Sequence, residues 1–276
     1  MLPAWIPGDV VLEATGAPGL DAVHGELLRQ WGSSEVWRLS YGLRSVIVKR
    51  GTDTQSGEDA AYERYVVPLE LPAPRLLSGA GGVLVLEDVG RVTLEQEPTA
   101  EGFLAAAELL AGIGDRAVSG PSGFPPERVK ELAGRIGRIS FDLSPLIEAL
   151  AALHREEPLR VVHGDFVPKN LVTDGTRWTV VDWPLVYVAP YLSDLYTLVR
   201  DAVALGHDRG PIVGRYVEAA GADPSVVDRQ VLVGGACFCL LALTFVIEEG
   251  TRTIPGSGEW VEPLLAELAD VVGELS

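Results

Sequence analysis

The most informative segment of the chain is VVHGDFVPKNLV, residues 161–172. Two short apolar runs, rich in valine, flank a polar loop, and this pattern predicts a strand, a loop and a second strand. The loop contains one acid, Asp165, and one amide, Asn170. Asn170 is the only asparagine in the 276 residues, and it follows the acid by five positions. We therefore expect this loop to carry chemistry as well as structure.

A second acid follows the loop at a distance that brings it back beside the amide. Another apolar run ends at Asp182, and the dipeptide Asp174-Gly175 before it is a strong signal of a two-residue hairpin turn. The hairpin would carry Asn170 at one base and Asp182 at the other. We therefore predict that Asp165, Asn170 and Asp182 converge on a single cleft.

This combination of groups suits phosphoryl transfer. An acid near an acceptor hydroxyl can take its proton, while an amide oxygen and a second carboxylate hold Mg²⁺ against the phosphates. The alternative is that Asp165 and Asn170 merely cap backbone groups of a turn. At average composition, the pattern HGDxxxxN arises by chance in a chain of this length about once in a thousand. The chemical interpretation is therefore favoured.

The motif HGD at 163–165, with Asn170 and the dipeptide Asp182-Trp183, resembles the signature of the aminoglycoside phosphotransferase and choline kinase family. The resemblance implies an α+β, two-lobed protein-kinase-like fold, with a small antiparallel β-sheet in the N-lobe and a mostly helical C-lobe. It also implies that Asp165 is the catalytic base and that Asn170 and Asp182 are Mg²⁺ ligands. For His163 a buried structural role is favoured.

The N-terminal part of the chain predicts the phosphate-binding elements. Residues 20–31 have helical spacing, and two strands, 35–39 and 45–49, follow as a hairpin. The turn between residue 31 and the first of these strands contains Ser33 and Ser34. Their backbone N–H groups could approach phosphates, although an ordinary turn explains them equally well.

Lys49 ends the run Val-Ile-Val-Lys, which resembles the kinase strand whose lysine pairs the α- and β-phosphates. A carboxylate on the next helix holds that lysine in kinases. Of the two candidates, Glu58 and Glu63, the family's pattern of Glu followed by Tyr four residues later matches Glu58. The alternatives are a solvated strand end for Lys49 and a favourable helix start for Glu58.

A strand predicted over 82–87 ends in Leu86-Glu87-Asp88-Val89-Gly90. In the resembling family this segment is the hinge whose backbone groups bind adenine, which implies a nucleotide-binding role for Leu86, Glu87 and Val89. We place the domain boundary there, with an N-terminal nucleotide-binding lobe at 1–89 and a helical catalytic and substrate-binding lobe at 90–276.

In the C-terminal part, helices are predicted over 100–113, 127–139, 143–154, 190–205 and 258–275. The 17-residue apolar run Val231–Ile247 is at the lower limit for a membrane span, so a buried core helix is favoured and no membrane association is expected. Asp194 matches the family's acid that braces the catalytic loop by hydrogen bonds. We expect its role to be structural rather than catalytic.

Two departures from the family pattern affect the prediction of a substrate. Pro184 replaces a common acid, and Val188-Ala189-Pro190 replaces Gly-Asp-Pro. The lysine that protein kinases place two residues after the base is Val167 here, so no phosphate contact is assigned at that position. Lys169 has no predicted role.

Composition limits the partners. The formal net charge of −17 disfavours nucleic acid and is compatible with a cationic small substrate, although a generally acidic enzyme explains it as well. Two cysteines, Cys237 and Cys239, are too few for a disulfide framework or a zinc site, and with no signal peptide they fit a cytoplasmic setting. The sequence does not predict the oligomeric state.

We therefore expect a kinase that uses ATP, with GTP not excluded, and Mg²⁺ to phosphorylate the hydroxyl of a small-molecule alcohol. An aminoglycoside or amino sugar would suit the acidic chain. The alternative is a nucleotide-binding pseudokinase scaffold with a regulatory role. Loss of a core acid would indicate that alternative, and none is lost.

Overall fold

The computed structural model describes residues 2–31, 34–51, 57–116 and 118–276. By contacts between backbones the chain forms two compact units. Unit 1 contains Met1–Glu97 and Lys169–Leu185, and unit 2 contains Pro98–Pro168 and Val186–Ser276.

The strands are β1 (His24–Trp31), β2 (Ser34–Tyr41), β3 (Arg44–Arg50), β4 (Leu76–Ala80), β5 (Val83–Glu87), β6 (Val92–Thr93), β7 (Arg160–Val162), β8 (Leu171–Thr173), β9 (Trp178–Val180) and β10 (Tyr187–Ala189). The α-helices are α1 (Gly8–Thr15), α2 (Glu58–Ala61), α3 (Ala100–Gly114), α4 (Glu127–Ile136), α5 (Ser144–Glu156), α6 (Ser193–Ala204), α7 (Arg209–Ala220), α8 (Pro224–Phe245), α9 (Thr251–Thr253) and α10 (Val261–Glu274). Short π-helical segments, Tyr62–Val66 and Val246–Gly250, continue α2 and α8.

Unit 1 is built on an antiparallel sheet of five strands in the order β1-β2-β3-β5-β4. The hairpin predicted from strands 35–39 and 45–49 is confirmed as β2 and β3. Side chains alternate across β3, so Val46 and Val48 enter the core beneath α1 while Lys49 takes the opposite face. The strand alternation thus fixes which side of the sheet can carry chemistry.

The helix predicted over 20–31 is wrong. A short 3₁₀ turn, Leu20–Ala22, precedes β1, which pairs along its length with β2. The register shifts between Leu27 and Arg29, so a β-bulge accommodates the consecutive Leu27 and Leu28, both of which are exposed. Their spacing imitated a helical face, but Gly25 disfavours a helix and pairing with β2 provides the backbone hydrogen bonds.

A second sheet in unit 1 has the order β6-β8-β9. The hairpin of β8 and β9 is present as predicted, but its loop has four residues, since Thr173 pairs with Trp178. The Asp174 carboxylate explains the longer loop, because it accepts hydrogen bonds from the backbone N–H groups of Thr176 at 2.8 Å and Arg177 at 3.1 Å. The Thr176 hydroxyl also donates to Asp174 Oδ1, at 2.6 Å, and together with the backbone bonds it lowers the pKa of Asp174 to about 2.

The compact units differ from the division predicted after residue 89. Residues 90–97 and 169–185 cluster with the N-terminal part, because β6 pairs with β8 and β8 with β9. The backbone N–H of Val180 also donates to the carbonyl of Pro72 at 2.9 Å. As a statement about functional domains, the predicted boundary stays a prediction.

Unit 2 is mostly helical, with β7 and β10 as a two-stranded sheet. Its core is formed by α4, α5, α8 and α10 with buried aromatic residues. The segment Pro224–Thr253 is long and apolar enough to cross a membrane by length and composition, but 67% of its most apolar window is buried inside the protein. Its packing against α4, α5, α6 and α10 is that of a core helix, as the sequence predicted.

Candidate active site

Lys49 is the centre of a buried ionic cluster in unit 1. Its ammonium forms ion pairs with the carboxylates of Glu58, on α2, and Asp182, which follows β9. Glu58 is only 2% exposed, whereas Glu63, the other candidate, is exposed. The pairing of Lys49 with Glu58 that the sequence predicted is therefore present in the structure.

The cluster holds its charges by mutual attraction. Burial alone would lower the pKa of Lys49, but the charges and hydrogen bonds of Glu58 and Asp182 outweigh burial and raise it. Burial raises the pKa of Glu58, opposed by Lys49 and reinforced by the nearby charge of Asp182. Nη1 of Arg29 lies 3.7 Å from Oδ2 of Asp182 and adds a second cation beside the two carboxylates.

A tryptophan fixes the backbone beside Asp182. The indole of Trp183 is fully buried and its Nε1 donates to the carbonyl of Val180 at 2.9 Å. The backbone N–H of Trp183 donates to Glu58 Oε1 at 3.1 Å, which ties the end of the hairpin to α2. Asp182 itself has φ of 72°, in the left-handed region that Asp tolerates better than most residues.

Asn170 and Asp182 together offer the donors that Mg²⁺ prefers, an amide oxygen and a carboxylate. The backbone N–H of Val181 donates to the carbonyl of Asn170 at 2.9 Å, so both residues lie at the open end of the same hairpin. In the described part of the chain no group of three or more His, Cys, Asp or Glu side chains could hold a metal ion. Mg²⁺ commonly takes one or two protein ligands and completes its shell with phosphate and water oxygens, and this pair fits that habit.

The cluster opens into a cavity of unit 1. Ser34, Leu86, Glu87 and Val89, all predicted to contact nucleotide, line this cavity together with Lys49, Glu58, Asn170 and Asp182. Ser33 lies outside the described residues. The cavity thus brings together every predicted nucleotide and metal residue that the structure describes.

Sequence reasoning missed an arginine that fixes the wall of this cavity. Arg38 Nε donates to Asp88 Oδ2 at 2.7 Å, and Arg38 Nη2 donates to the carbonyl of Gly90 at 2.7 Å. Ser45 Oγ also donates to Asp88 Oδ2, at 2.7 Å. Burial would raise the pKa of Asp88, but the hydrogen bonds from Arg38 and Ser45 lower it. The one feature of the sequence that could have indicated this role is the alternation of side chains along β2, which places Arg38 on the face of the sheet that lines the cavity.

Gly90 closes this wall at very short range. Its φ is 138°, and a Cβ at this position would lie 2.0 Å from the carbonyl oxygen of Thr173. No side chain fits, so the backbone after β5 contacts the turn of the β8–β9 hairpin directly.

Asp165 belongs to unit 2, in the loop after β7. Its backbone N–H donates to Nδ1 of His163 at 3.2 Å, and His163 is fully buried as predicted. The Asp194 carboxylate, in the first turn of α6, accepts hydrogen bonds from the backbone N–H groups of His163 at 2.6 Å and Gly164 at 3.0 Å. The predicted bracing of the loop by Asp194 is therefore confirmed, whereas the convergence of Asp165 with Asn170 and Asp182 stays a prediction.

The pKa of Asp194 is raised by its burial. It reaches about 7, against the two backbone hydrogen bonds and with the help of the charge of Asp165. The side chain is 4% exposed. The loop that holds the proposed base therefore rests on a group that titrates near neutral pH.

Four acids of the C-terminal part, which could together line a site for an amine, lie in unit 2: Glu248, Glu249, Glu259 and Glu262. Two of them are paired with arginines. Glu248 is paired with Arg135, and Glu262 with Arg138. These exposed pairs link α4 and Arg138, two residues beyond its end, to the C-terminal part of unit 2.

Three solved structures show the same fold. A choline kinase, LicA, from Streptococcus pneumoniae has 17% identity and a TM-score of 0.63, and the match covers 90% of this chain and 93% of that chain. An ethanolamine kinase from Plasmodium vivax has 12% identity and a TM-score of 0.67, with 93% and 84% covered. A thermostable mutant of aminoglycoside phosphotransferase APH(4)-Ia, in a ternary complex with ADP and hygromycin B, has 15% identity and a TM-score of 0.61, with 97% and 98% covered.

At these identities the structures establish the fold alone, and the predicted protein-kinase-like α+β fold is confirmed. A comparison with curated protein sequences gives no significant match.

The model of the phosphotransferase enzyme family matches residues 26–229, which is most of the chain and includes both the Lys49 cluster and the Asp165 loop. The chain belongs to the phosphotransferase enzyme family, and it is an enzyme of the small-molecule kinase class.

Proposed function

We propose that the enzyme uses ATP and Mg²⁺ to phosphorylate a hydroxyl group of a small molecule. The observation that carries the proposal is the Lys49–Glu58–Asp182 cluster, which shares one cavity with Asn170. Phosphoryl transfer needs little covalent help from the protein, so positioning and charge neutralisation are the main tasks of these side chains.

Lys49 binds the α- and β-phosphates in this proposal. Glu58 keeps the ammonium in place and charged, because its carboxylate is buried and is itself held by the backbone N–H of Trp183. Leu86, Glu87 and Val89 provide the backbone groups for the base of the nucleotide along the wall that Arg38 fixes. The preference for ATP over GTP is an expectation from the family.

Asn170 and Asp182 are the metal ligands in this proposal. Mg²⁺, when bound, would offset the charge of the phosphate oxygens. The carboxylate of Asp182 contributes to both tasks, since it contacts Lys49 and faces the same cavity as Asn170.

Asp165 is the proposed base that orients the acceptor hydroxyl and takes its proton. Asp194 supports this role indirectly. Its carboxylate accepts hydrogen bonds from the backbone N–H groups of His163 and Gly164, the two residues immediately before the base. Asp194 is therefore a positioning residue and Asp165 the catalytic one.

For the acceptor we propose a cationic amino alcohol or amino sugar. The net charge of −17 attracts cations, and the fold neighbours include kinases named for choline and ethanolamine and a phosphotransferase bound to hygromycin B. We further propose a cytoplasmic enzyme that needs neither nucleic acid nor a membrane. Glu248, Glu249, Glu259 and Glu262 are the acids to vary in testing for an amine site.

The test is ADP release from ATP with a panel of amino alcohols, aminoglycosides and neutral sugars, comparing wild type with Asp165→Asn. We expect an acceptor-dependent rate that falls in the variant by about two orders of magnitude or more, because loss of a general base typically costs that much. Asp270→Asn removes one carboxylate from an exposed position of α10 and is the matched control.

Three outcomes discriminate between the functions. Nucleotide binding without Asp165-dependent ADP release, with the panel and with a metabolite extract, would favour the nucleotide-binding scaffold. Release of pyrophosphate in place of ADP would indicate nucleotidyl transfer by the same fold. Acceptor-dependent ADP release that needs Asp165 supports the kinase.

A further inference from the structure

Lys169 has no role in the function proposed so far, although it lines the same cavity as the Lys49 cluster. The chain has only three lysines, Lys49, Lys130 and Lys169, and two of them line the same cavity. Lys169 lies in the 3₁₀ turn Pro168–Asn170 and is exposed, while both of its neighbours in the turn are buried. The turn thus anchors the backbone and leaves the ammonium group accessible.

Lys169 and Asp182 lie at the open end of the β8–β9 hairpin. Leu171 pairs with Val180, and the hydrogen bond from Val181 to Asn170 continues the ladder by one step. Lys169, in the turn before β8, and Asp182, after β9, are the residues that flank this hydrogen bond along the chain. Both line the cavity, so the lysine shares it with the proposed metal ligand.

Asp182 already lies among cations. Lys49 forms an ion pair with it, and Nη1 of Arg29 is 3.7 Å from its Oδ2. Arg29 and Lys169 both line the cavity. With Glu58 and Asp182, the three cations leave one net positive charge, which suits a ligand that brings more negative charge than one Mg²⁺ can offset.

The two lysines of the cavity differ in burial. Lys49 is buried between two carboxylates, whereas Lys169 is exposed. A lysine is a compact charge with three rotatable donors on a flexible stem, which suits one phosphate group better than a planar guanidinium does.

We infer that Lys169 binds the terminal phosphate of the nucleoside triphosphate. The inference rests on the proposed function and adds a contact that ADP does not make. The position of Lys169, next to Asn170 and four residues after the proposed base Asp165, assigns it to the end of the triphosphate where the transfer takes place. Lys49 is left to the inner phosphates.

The test measures the affinities of ADP and of a non-hydrolysable β,γ-imido ATP analogue by calorimetry, both with Mg²⁺. In Lys169→Met we expect the affinity for the ATP analogue to fall about tenfold, the typical value of a charge-assisted hydrogen bond, while ADP affinity stays the same. Lys169→Arg should retain most of the preference for the analogue. Lys130→Met, on α4 in unit 2, removes the same charge far along the chain and should change neither affinity.

The outcomes separate this inference from the function beneath it. An equal fall for both nucleotides in Lys169→Met, or no fall beyond that of Lys130→Met, overturns the terminal-phosphate contact and leaves the kinase proposal in place. Thermal unfolding shows whether each variant is folded. If Lys169→Met is misfolded, the ratio of the affinities for ADP and the ATP analogue is compared between Lys169→Arg and Lys169→Gln instead, and a preference for the analogue that Lys169→Arg keeps and Lys169→Gln loses supports the contact. Absence of any nucleotide binding by wild type overturns both.

Discussion

Glu58 in unit 1 and Asp194 in unit 2 are both almost completely buried carboxylates, at 2% and 4% exposure, but they are satisfied differently. Glu58 has a lysine, Lys49, and one backbone N–H. Asp194 has two backbone N–H groups, and no ion pair with it is found among the described residues. One carboxylate positions a charge and the other positions a backbone.

The difference separates two functions that a buried acid can have. A carboxylate that holds a lysine can give up part of that interaction when phosphates arrive, because the lysine then gains new partners. A carboxylate that holds backbone N–H groups gains no such exchange, so we expect the loop at Asp194 to keep its conformation when nucleotide binds. The following predictions test this distinction, beginning with the largest expected effect.

The first prediction concerns Lys49→Met, which should destabilise the protein by about 3–5 kcal/mol and abolish measurable kinase activity. The reason is that Glu58 and Asp182 would face each other without their common cation, and breaking a buried pair leaves an uncompensated charge. Urea unfolding at neutral pH measures the change in the free energy of unfolding.

Two further variants make this prediction decisive. Lys130→Met removes an exposed lysine and should leave stability unchanged. Glu58→Gln added to Lys49→Met should recover part of the lost stability, because it removes one of the two repelling charges. If Lys49→Met unfolds at the wild-type urea concentration, Glu58 does not depend on the lysine and the comparison fails.

The second prediction is a pH dependence from Asp194. Its pKa in the folded protein, about 7, is above the ordinary value of 3.8, so between these values the folded protein binds more protons here than the unfolded chain. This group's contribution to the free energy of unfolding therefore falls as pH rises through that window, by up to about 4 kcal/mol. Denaturant unfolding from about pH 4 to pH 8 measures the slope.

Asp194→Asn should flatten this part of the profile, since an amide does not titrate. The amide keeps only one acceptor oxygen for the two N–H groups, so kinase activity should also fall, mainly in kcat. Asp270→Asn should leave the wild-type profile unchanged. A wild-type slope that persists in Asp194→Asn would assign the titration to another group.

The third and smallest effect is expected for Arg38→Met. We expect this variant to lower the free energy of unfolding by about 2 kcal/mol, because Asp88 and the carbonyl of Gly90 lose charge-assisted hydrogen bonds. It should also raise the KM for ATP while leaving kcat nearly unchanged, since the wall of the cavity is affected and the Lys49 cluster is not. Denaturant unfolding and steady-state kinetics measure the two effects.

Arg135→Met is the matched control, because the pair of Arg135 with Glu248 is exposed and an exposed pair contributes little. We expect no measurable change in its unfolding midpoint. Equal losses in the two variants would mean that burial does not distinguish these arginines.

The sequence allowed prediction of the parts of the site that local patterns encode. The HGDxxxxN loop, the β8–β9 hairpin and the strand ending in Lys49 are each written within a few neighbouring residues, and the structure contains all of them. The partner of Lys49 was chosen between two glutamates only by the family's spacing, and burial then separates them.

The rest depends on pairings between distant residues. β1 looked helical because its strand character comes from β2, and no local spacing records that partner. Arg38 and Asp88 are 50 positions apart, and their interaction becomes visible only when β2, β3 and β5 are aligned side by side. Tertiary context overrode local preference in the first case and created the feature in the second.

The contact at Gly90 has a practical meaning for any attempt to engineer nucleotide preference. A saturation library at that position should return only glycine among the folded clones, because even a methyl group would overlap the carbonyl of Thr173. Designers who wish to reshape this edge of the cavity would have to vary the hairpin turn and the segment after β5 together, as one module.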